Sequence, residues 1–158
     1  MRTKQIHLAD IYEVMKEKLD AGGTVNFNPR GTSMLPMLHN DGDRVEIIKA
    51  SQPLKKYDLP LYRRPDGSFV LHRVVRKPRP DGSYVMCGDN QWHMEYGVKH
   101  SDIVGVVIAF ERRGKHIKAD NRLYRLYCVA WVALMPLRRL VFGGKNRLKR
   151  ILNRRNGK

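Results

Sequence analysis

The stretch LYRRPDGSFVLHRVVRKPRPDGSYVMCGDN, residues 61–90, contains the turn sequence Pro-Asp-Gly-Ser twice, each time followed by a largely apolar run. Proline presets the backbone of the first turn position, and glycine adopts the positive φ that a tight reversal requires. The pattern therefore predicts a hairpin formed by residues 61–64 and 69–75, followed by a further strand over residues 84–87.

The flanking sequence extends this β-rich pattern in both directions. Further strands are predicted at residues 24–27, 44–48 and 103–111, with a short last strand after the turn at 113–115. Ahead of them, apolar residues recur at helical spacing over residues 7–19, which predicts an amphipathic helix. We expect a mainly β fold, a twisted and partly closed antiparallel sheet with an N-terminal helix and C-terminal helices.

Charge separates the C-terminal part of the chain from the rest. The sequence has 31 Lys and Arg against 15 Asp and Glu, a net charge of +16, and residues 123–158 include ten basic and no acidic residues. Such a segment suits a nucleic acid, an anionic membrane surface or an acidic partner. Because no helix-turn-helix, zinc-finger or base-stacking motif is recognisable in the sequence, we expect no nucleic-acid partner. The predicted domains are 1–23, a helix, 24–118, a β-rich domain, and 119–158, a basic helical tail.

The tail has three interpretations that the sequence leaves open. Residues 126–137 are apolar without a break, but a membrane-spanning helix needs about 20 residues. The segment is therefore a helix packed on the β core, part of residues 123–156 lying together on an anionic membrane surface, or a span over 123–142 with snorkelling arginines. In the two interpretations that involve a membrane, the aromatic residues expected at the interface are Tyr124, Tyr127 and Trp131.

Neither a disulfide framework nor a cofactor is predicted. Cys87 and Cys128 lie far apart, and the histidines lack the spacing of metal ligands, so we expect no metal and no cofactor. The first 19 residues are too polar for a secretory signal or an N-terminal membrane anchor. We expect the chain to be either membrane-associated or cytoplasmic.

Three short motifs carry groups that can perform chemistry: GTSMLP (31–36), LHRVV (71–75) and CGDN (87–90). Taken singly, each has an ordinary structural explanation, since serines and aspartates are common in loops and turns. Taken together they supply a hydroxyl, an imidazole and a carboxylate. A serine hydroxyl is a weak nucleophile at neutral pH unless a base, usually held by a third group, lies within hydrogen-bond reach.

In this combination the chain resembles the type I signal peptidase family, in the Ser–His branch that includes the endoplasmic-reticulum and archaeal enzymes. GTSMLP matches the nucleophile box Gly-x-Ser-Met-x-Pro, which is followed, as in the family, by a Gly-Asp pair at 42–43. LHRVV matches the box of the general base, and GDN with DIVGVV (102–107) matches the closing boxes. The boxes occur in the family's order and span roughly residues 24–111.

The resemblance implies a role for each matching residue. Ser33 would attack the scissile carbonyl of a peptide, and His72 would take the proton of its hydroxyl. The sequence leaves open which carboxylate orients His72. Asp89 fits the Gly-Asp-Asn box and is slightly preferred. Glu95 is the alternative, because it falls where the endoplasmic-reticulum enzymes carry their acid.

The nucleophile loop departs from the family at one position. Met34 and Pro36 would shape the turn after Ser33, whereas Gly31 stands where many members have a second serine that assists the oxyanion hole. Backbone N–H groups, including that of Ser33, would then hold the oxyanion, and Thr32 is a further candidate. Losing one oxyanion donor costs on the order of a hundredfold in rate.

The substrate implied by the resemblance is a peptide or precursor protein, bound extended and cut after small residues. Two alternatives remain open at this point. One is a regulatory or self-cleaving peptidase of the LexA type, which has a related fold but uses a Ser–Lys pair. The other is a catalytically inactive relative that only binds peptides.

Overall fold

The computed structural model describes residues 11–40 and 42–138. In this part of the chain the fold is mainly β, as expected, with antiparallel sheets and a helix on each side of them in sequence. The helices are α1 (Tyr12–Asp20) and α2 (Arg122–Ala133). The strands are β1 (Val25–Phe27), β2 (Arg44–Ile48), β3 (Pro60–Arg63), β4 (Phe69–Leu71), β5 (Arg73–Val74), β6 (Tyr84–Cys87), β7 (Glu95–Val98), β8 (Ile103–Arg112) and β9 (Lys115–Lys118).

The larger sheet is built around β8, the longest strand. Its strand order is β1-β2-β8-β3-β4, and β9 pairs with the far end of β8. Strand β2 alternates exposed or half-buried residues with buried ones, and Val45 and Ile47 lie completely inside. This period-2 pattern places one face of the sheet on the core. Strand β4 lies at the end of the sheet order, and its register pairs Leu71 with Leu61.

The predicted strand over residues 69–75 is not continuous, so this expectation was wrong. The chain passes from β4 in the larger sheet to β5 in a three-stranded sheet with the order β5-β6-β7, and His72 lies at the crossing. The amide of His72 still donates to the carbonyl of Pro60, whereas Val74 donates to Asp58. All five residues from Leu71 to Val75 are buried. The sequence FVLHRVV is apolar apart from His72 and Arg73 and has no turn residue, so it predicts one strand although it serves two sheets.

Strand β7 was not predicted from the sequence. Its residues include Gly97 at a positive φ of 77° and the half-buried Glu95, so the segment lacks the alternating apolar pattern of a strand. It forms by pairing with β6, where Glu95 stands opposite Met86 and Val98 opposite Tyr84. Tertiary pairing here overrides weak local preference.

Both helices contribute to the main hydrophobic core. Met15 and Leu19 of α1 lie in the same cluster as Tyr124 and Cys128 of α2, together with strand residues such as Phe110. Asn121 caps α2, since its side-chain oxygen accepts from the amides of Leu123 and Tyr124. The N-terminal helix was expected over residues 7–19, of which residues 7–10 lie outside the described part.

The expected role of the tail aromatics needs correction. Tyr124 is buried against Phe110, and Tyr127 and Trp131 turn toward the β domain instead of outward. The interpretation that residues 126–137 include a helix packed on the core is therefore right for one face of α2. Within residues 11–40 and 42–138, no helix combines the length and the apolar character needed to cross a bilayer. The basic segment beyond residue 138 lies outside the described residues.

Candidate active site

Ser33 lies in the loop between β1 and β2, and that loop is fixed by its own buried residues. Met34, Met37 and Leu38 are each at most 4% exposed and belong to the main core. The amides of Met37 and Leu38 both donate to the carbonyl of Met34, which closes a tight turn directly after Ser33. The half-buried Ser33 thus directly precedes a hydrogen-bonded turn whose side chains are packed in the core.

The buried Asp43 anchors the far end of the same loop. Its carboxylate accepts the amide of His39 at 2.8 Å, and its carbonyl accepts the side chain of Asn28 at 2.9 Å. Asp43 of the Gly-Asp pair therefore has a structural role, because its bond to Asn28 joins the beginning and the end of the loop between β1 and β2.

The loop after β6 holds Ser33 from the other side. The amide of Asn90 donates to the carbonyl of Ser33 at 2.7 Å, and the Asn90 side chain donates to the carbonyl of Thr32 at 3.1 Å. A Cβ at Gly88 would lie 2.7 Å from the Ser33 carbonyl and 3.1 Å from His72 Nε2. Glycine is needed here because the Ser33 backbone and the imidazole both approach the same point.

The imidazole of His72 is almost completely buried, with 2% exposure. Its Nδ1 lies 3.1 Å from Glu95 Oε1 and 3.2 Å from the hydroxyl of Tyr62. Its Nε2 is the nitrogen beside Gly88, the residue that the Ser33 carbonyl also approaches. An ionised carboxylate accepts but does not donate, so a neutral His72 donates from Nδ1 and keeps its lone pair on Nε2, the nitrogen beside Gly88.

Glu95 is itself held by two neighbours. Arg64 donates from Nε to Glu95 Oε2 at 2.8 Å and from a second guanidinium nitrogen to Oε1. Partial burial opposes the charged form of Glu95, but hydrogen bonds from Arg64 and Tyr62 outweigh it, so the pKa of Glu95 lies below its ordinary value. The carboxylate is therefore ionised at neutral pH.

Burial has the largest effect on the pKa of His72. It lowers the pKa of His72 below the ordinary 6.5, and the nearby charge of Glu95 offsets only part of this effect. At neutral pH the imidazole is consequently uncharged, the form in which it can accept a proton.

Asp89, the slightly preferred acid, does not bond to His72 in the structure. Its carboxylate accepts from Arg73 Nε at 2.8 Å and from Arg73 Nη2 at 2.7 Å, and both side chains are at most 2% exposed. Burial disfavours the charged guanidinium, but Asp89 outweighs this, and the pKa of Arg73 lies well above its usual value. The geometry favours the alternative acid, Glu95, for contact with the imidazole.

The same ion pair connects the β domain with α2. Arg73 Nη1 donates to the hydroxyl of Tyr124 at 2.9 Å, and the hydroxyl of Tyr127 donates to the Asp89 carboxylate at 3.2 Å. Trp131 Nε1 donates to the carbonyl of Asp89 at 2.9 Å. Asp89 is therefore bonded to both the β domain and the C-terminal helix, one residue away from Gly88 and Asn90.

Ser33 and His72 line one cavity of about 210 Å³, together with Gly31 and Met34. All three residues of strand β4 also line the cavity, as do Arg64 and Gln91. Thr32 and Pro36 are exposed residues of the nucleophile loop outside this lining, and the carbonyl of Thr32 is bonded to Asn90. The structure thus places Ser33 and His72 at one cavity, with Glu95 outside its lining and in contact with Nδ1 of His72.

Sequence reasoning missed Tyr62, Arg64 and Gly88 as members of this site. Gly88 stands inside the CGDN motif and could have been singled out, whereas Tyr62 and Arg64 belong to an ordinary strand and turn. Among residues 11–40 and 42–138, no group of three or more His, Cys, Asp or Glu side chains is arranged to hold a metal ion.

Comparisons of the chain with protein-family models, with curated proteins and with solved structures gave no significant match.

Proposed function

We propose that the chain is a serine endopeptidase in which Ser33 is the nucleophile, His72 the general base and Glu95 the acid that orients it. One observation carries the proposal: the buried His72 is bonded through Nδ1 to Glu95, its Nε2 lies beside Gly88, which the Ser33 carbonyl also approaches, and His72 lines the same cavity as Ser33. Such an arrangement of base and carboxylate activates a neighbouring hydroxyl.

The proposed reaction is acyl transfer to Ser33 and then to water. His72 Nε2 removes the hydroxyl proton as Ser33 Oγ attacks the peptide carbonyl, and Glu95 stabilises the resulting imidazolium. The imidazolium passes this proton to the leaving amine, which frees the first product. His72 then deprotonates a water molecule that hydrolyses the acyl-enzyme and restores the Ser33 hydroxyl.

Strand β4 supports an extended peptide as the substrate. Of the described strands it pairs with β3 alone, and Phe69, Val70 and Leu71 line the cavity directly before His72. An extended peptide can add to such an edge through backbone hydrogen bonds. The preference for small residues at the cleavage point rests on the family resemblance and remains a prediction.

A peptide-library cleavage screen with the full chain tests this function. Ser33→Ala and His72→Ala should each remove nearly all cleavage, and the double variant should be little worse, because the groups act as a unit. Ser51→Ala, which alters an exposed serine elsewhere, is the matched control and should retain activity. A fluorophosphonate probe should label the wild type but not Ser33→Ala.

The same screen distinguishes the alternatives. Cleavage of the chain itself, abolished by Ser33→Ala and without turnover of added peptides, would replace this proposal with a self-cleaving peptidase. Peptide binding without cleavage and without probe labelling would identify an inactive relative and overturn the catalytic assignment.

A further inference from the structure

Helix α2 carries a large exposed apolar surface. Its outer face includes Leu123 at 78% exposure and Leu126 at 65%, and helical hydrogen bonding continues beyond Ala133 to Arg138. Of the seven large apolar side chains exposed in the described part of the chain, five lie on this segment: Leu123, Leu126, Val129, Leu134 and Leu137. A stripe of this kind is more than the isolated exposed apolar residues of an ordinary surface.

This outer face is distinct from the face that packs on the domain. Tyr124, Cys128 and Met135 are buried, at four- and seven-residue spacing, and they lie on the inner side of the helix. A partner can therefore cover the outer face without displacing the helix from the core.

From Arg122 to the end of the sequence, every charged residue is basic. Arg122 and Arg125 are exposed on α2, and Arg125 also lies 3.9 Å from Asp58 in the loop before β3. Residues 139–158 include eight basic and no acidic residues. An apolar stripe flanked by basic residues complements a bilayer surface of anionic lipids, which takes up the leucines and attracts the cations.

We propose that the outer face of α2 is a docking surface for an anionic lipid bilayer, with Leu123, Leu126 and Leu137 inserted at the boundary between headgroups and acyl chains. A second copy of this chain is the poorer partner. Its α2 would bring an equally basic segment against the first, and like charges held close together repel. The proposal does not depend on the peptidase activity.

Flotation of the full-length protein with vesicles tests the surface. The protein should float with phosphatidylcholine vesicles that contain phosphatidylserine, float much less with phosphatidylcholine alone, and be released as salt concentration rises. Leu126→Glu, and independently Leu137→Glu, should weaken binding about tenfold or more because a charge replaces an inserted side chain.

Val14→Glu is the matched control. Val14 is an apolar side chain of α1 with 69% exposure, so the change introduces the same charge on an exposed helix away from the docking surface. This variant should retain nearly all vesicle binding. Thermal unfolding of each variant checks that the fold is intact.

Three outcomes would overturn the proposal. The first is failure of the wild type to bind anionic vesicles. The second is an equal loss for Val14→Glu and Leu126→Glu, which would reduce the effect to net charge. The third is a dimer in light scattering that Leu126→Glu dissociates, without vesicle binding, which would assign the face to a second copy of the chain.

Discussion

Two features of the site shift the pKa of His72 in opposite directions. Burial keeps the imidazole neutral and available as a base, while Glu95 favours the cation that forms when the base accepts a proton. Arg64 keeps Glu95 ionised and held in place, so the orienting charge persists at neutral pH. A base needs both conditions, since it must begin neutral and end charged within one step.

At this scale we predict opposite outcomes for the two candidate acids. Glu95→Gln should lower turnover by about four orders of magnitude, as expected when the carboxylate that orients a catalytic histidine is lost. Because Glu95 raises the pKa of His72, its removal should also shift the acid limb of the kcat/KM profile to lower pH. A pH–rate profile of wild type and variant measures both effects.

The control for this prediction is Asp89→Asn. It leaves the buried Arg73 without its counter-charge, which should cost about 3–5 kcal/mol in the free energy of unfolding. Below the unfolding transition, the folded variant should shift the acid limb to lower pH by less than Glu95→Gln does, because the charge of Asp89 raises the pKa of His72 less than that of Glu95. If Asp89→Asn shifts that limb and Glu95→Gln does not, the assignment of the orienting acid to Glu95 is wrong.

At the scale of elements, the site forms where strands change partners. The chain leaves the larger sheet after β4 and enters the smaller one at β5, which places His72 between them. The β5–β6 register sets Cys87 opposite Arg73, so Gly88 follows β6 directly beside the imidazole. The loop that begins with Gly88 then bonds the nucleophile loop through Asn90. Strand pairing, together with the hydrogen bonds of Asn90, therefore brings distant parts of the sequence together.

Gly88→Ala tests this close approach. The added methyl would collide with the Ser33 carbonyl at 2.7 Å and crowd His72 Nε2 at 3.1 Å, so the two loops must separate. A misplacement of about 1 Å in a catalytic group costs about a hundredfold in rate, and we expect at least that loss in kcat/KM.

Gly105→Ala is a matched clash outside the site, because its methyl would lie 2.8 Å from the backbone carbonyl of Ile48. It should lower the melting temperature while the folded protein retains its kcat/KM. Equal activity losses in the two variants would show that general destabilisation, and not the approach at Gly88, explains the effect.

The elements that were predicted from the sequence are those with local signals. Strand β2 was predicted with its observed bounds, because a turn precedes it and apolar residues alternate along it. Strand β7 and the break between β4 and β5 at His72 were not predicted, because both are determined by pairing with strands that are distant in the sequence. The position of Ser33 and His72 in one cavity agrees with the motifs, whereas the preference for Asp89 over Glu95 could be revised only once β7 was in place.

At the scale of the whole molecule, α2 completes the core as well as presenting an outer face. Tyr124 and Cys128 lie in the cluster formed by α1 and the larger sheet, and Met135 packs with Val75 and Cys87 of the smaller one. The helix thus contacts both sheets, and through Tyr127 and Trp131 it also holds the Asp89 backbone and side chain.

Two truncations separate these contributions. A chain ending at residue 120 loses the burial of Tyr124, Cys128 and Met135, and a large buried apolar side chain stabilises a fold by about 1.5–3 kcal/mol. The total stability of a domain is only about 5–15 kcal/mol, so this chain should lose cooperative unfolding in urea.

A chain ending at residue 138 keeps α2 and its contacts, and should unfold like the full chain and cleave peptides at a similar rate. It should nevertheless bind anionic vesicles more weakly, because eight basic residues are gone. If the chain ending at residue 120 unfolds as cooperatively as the full chain, α2 is not part of the core of the fold.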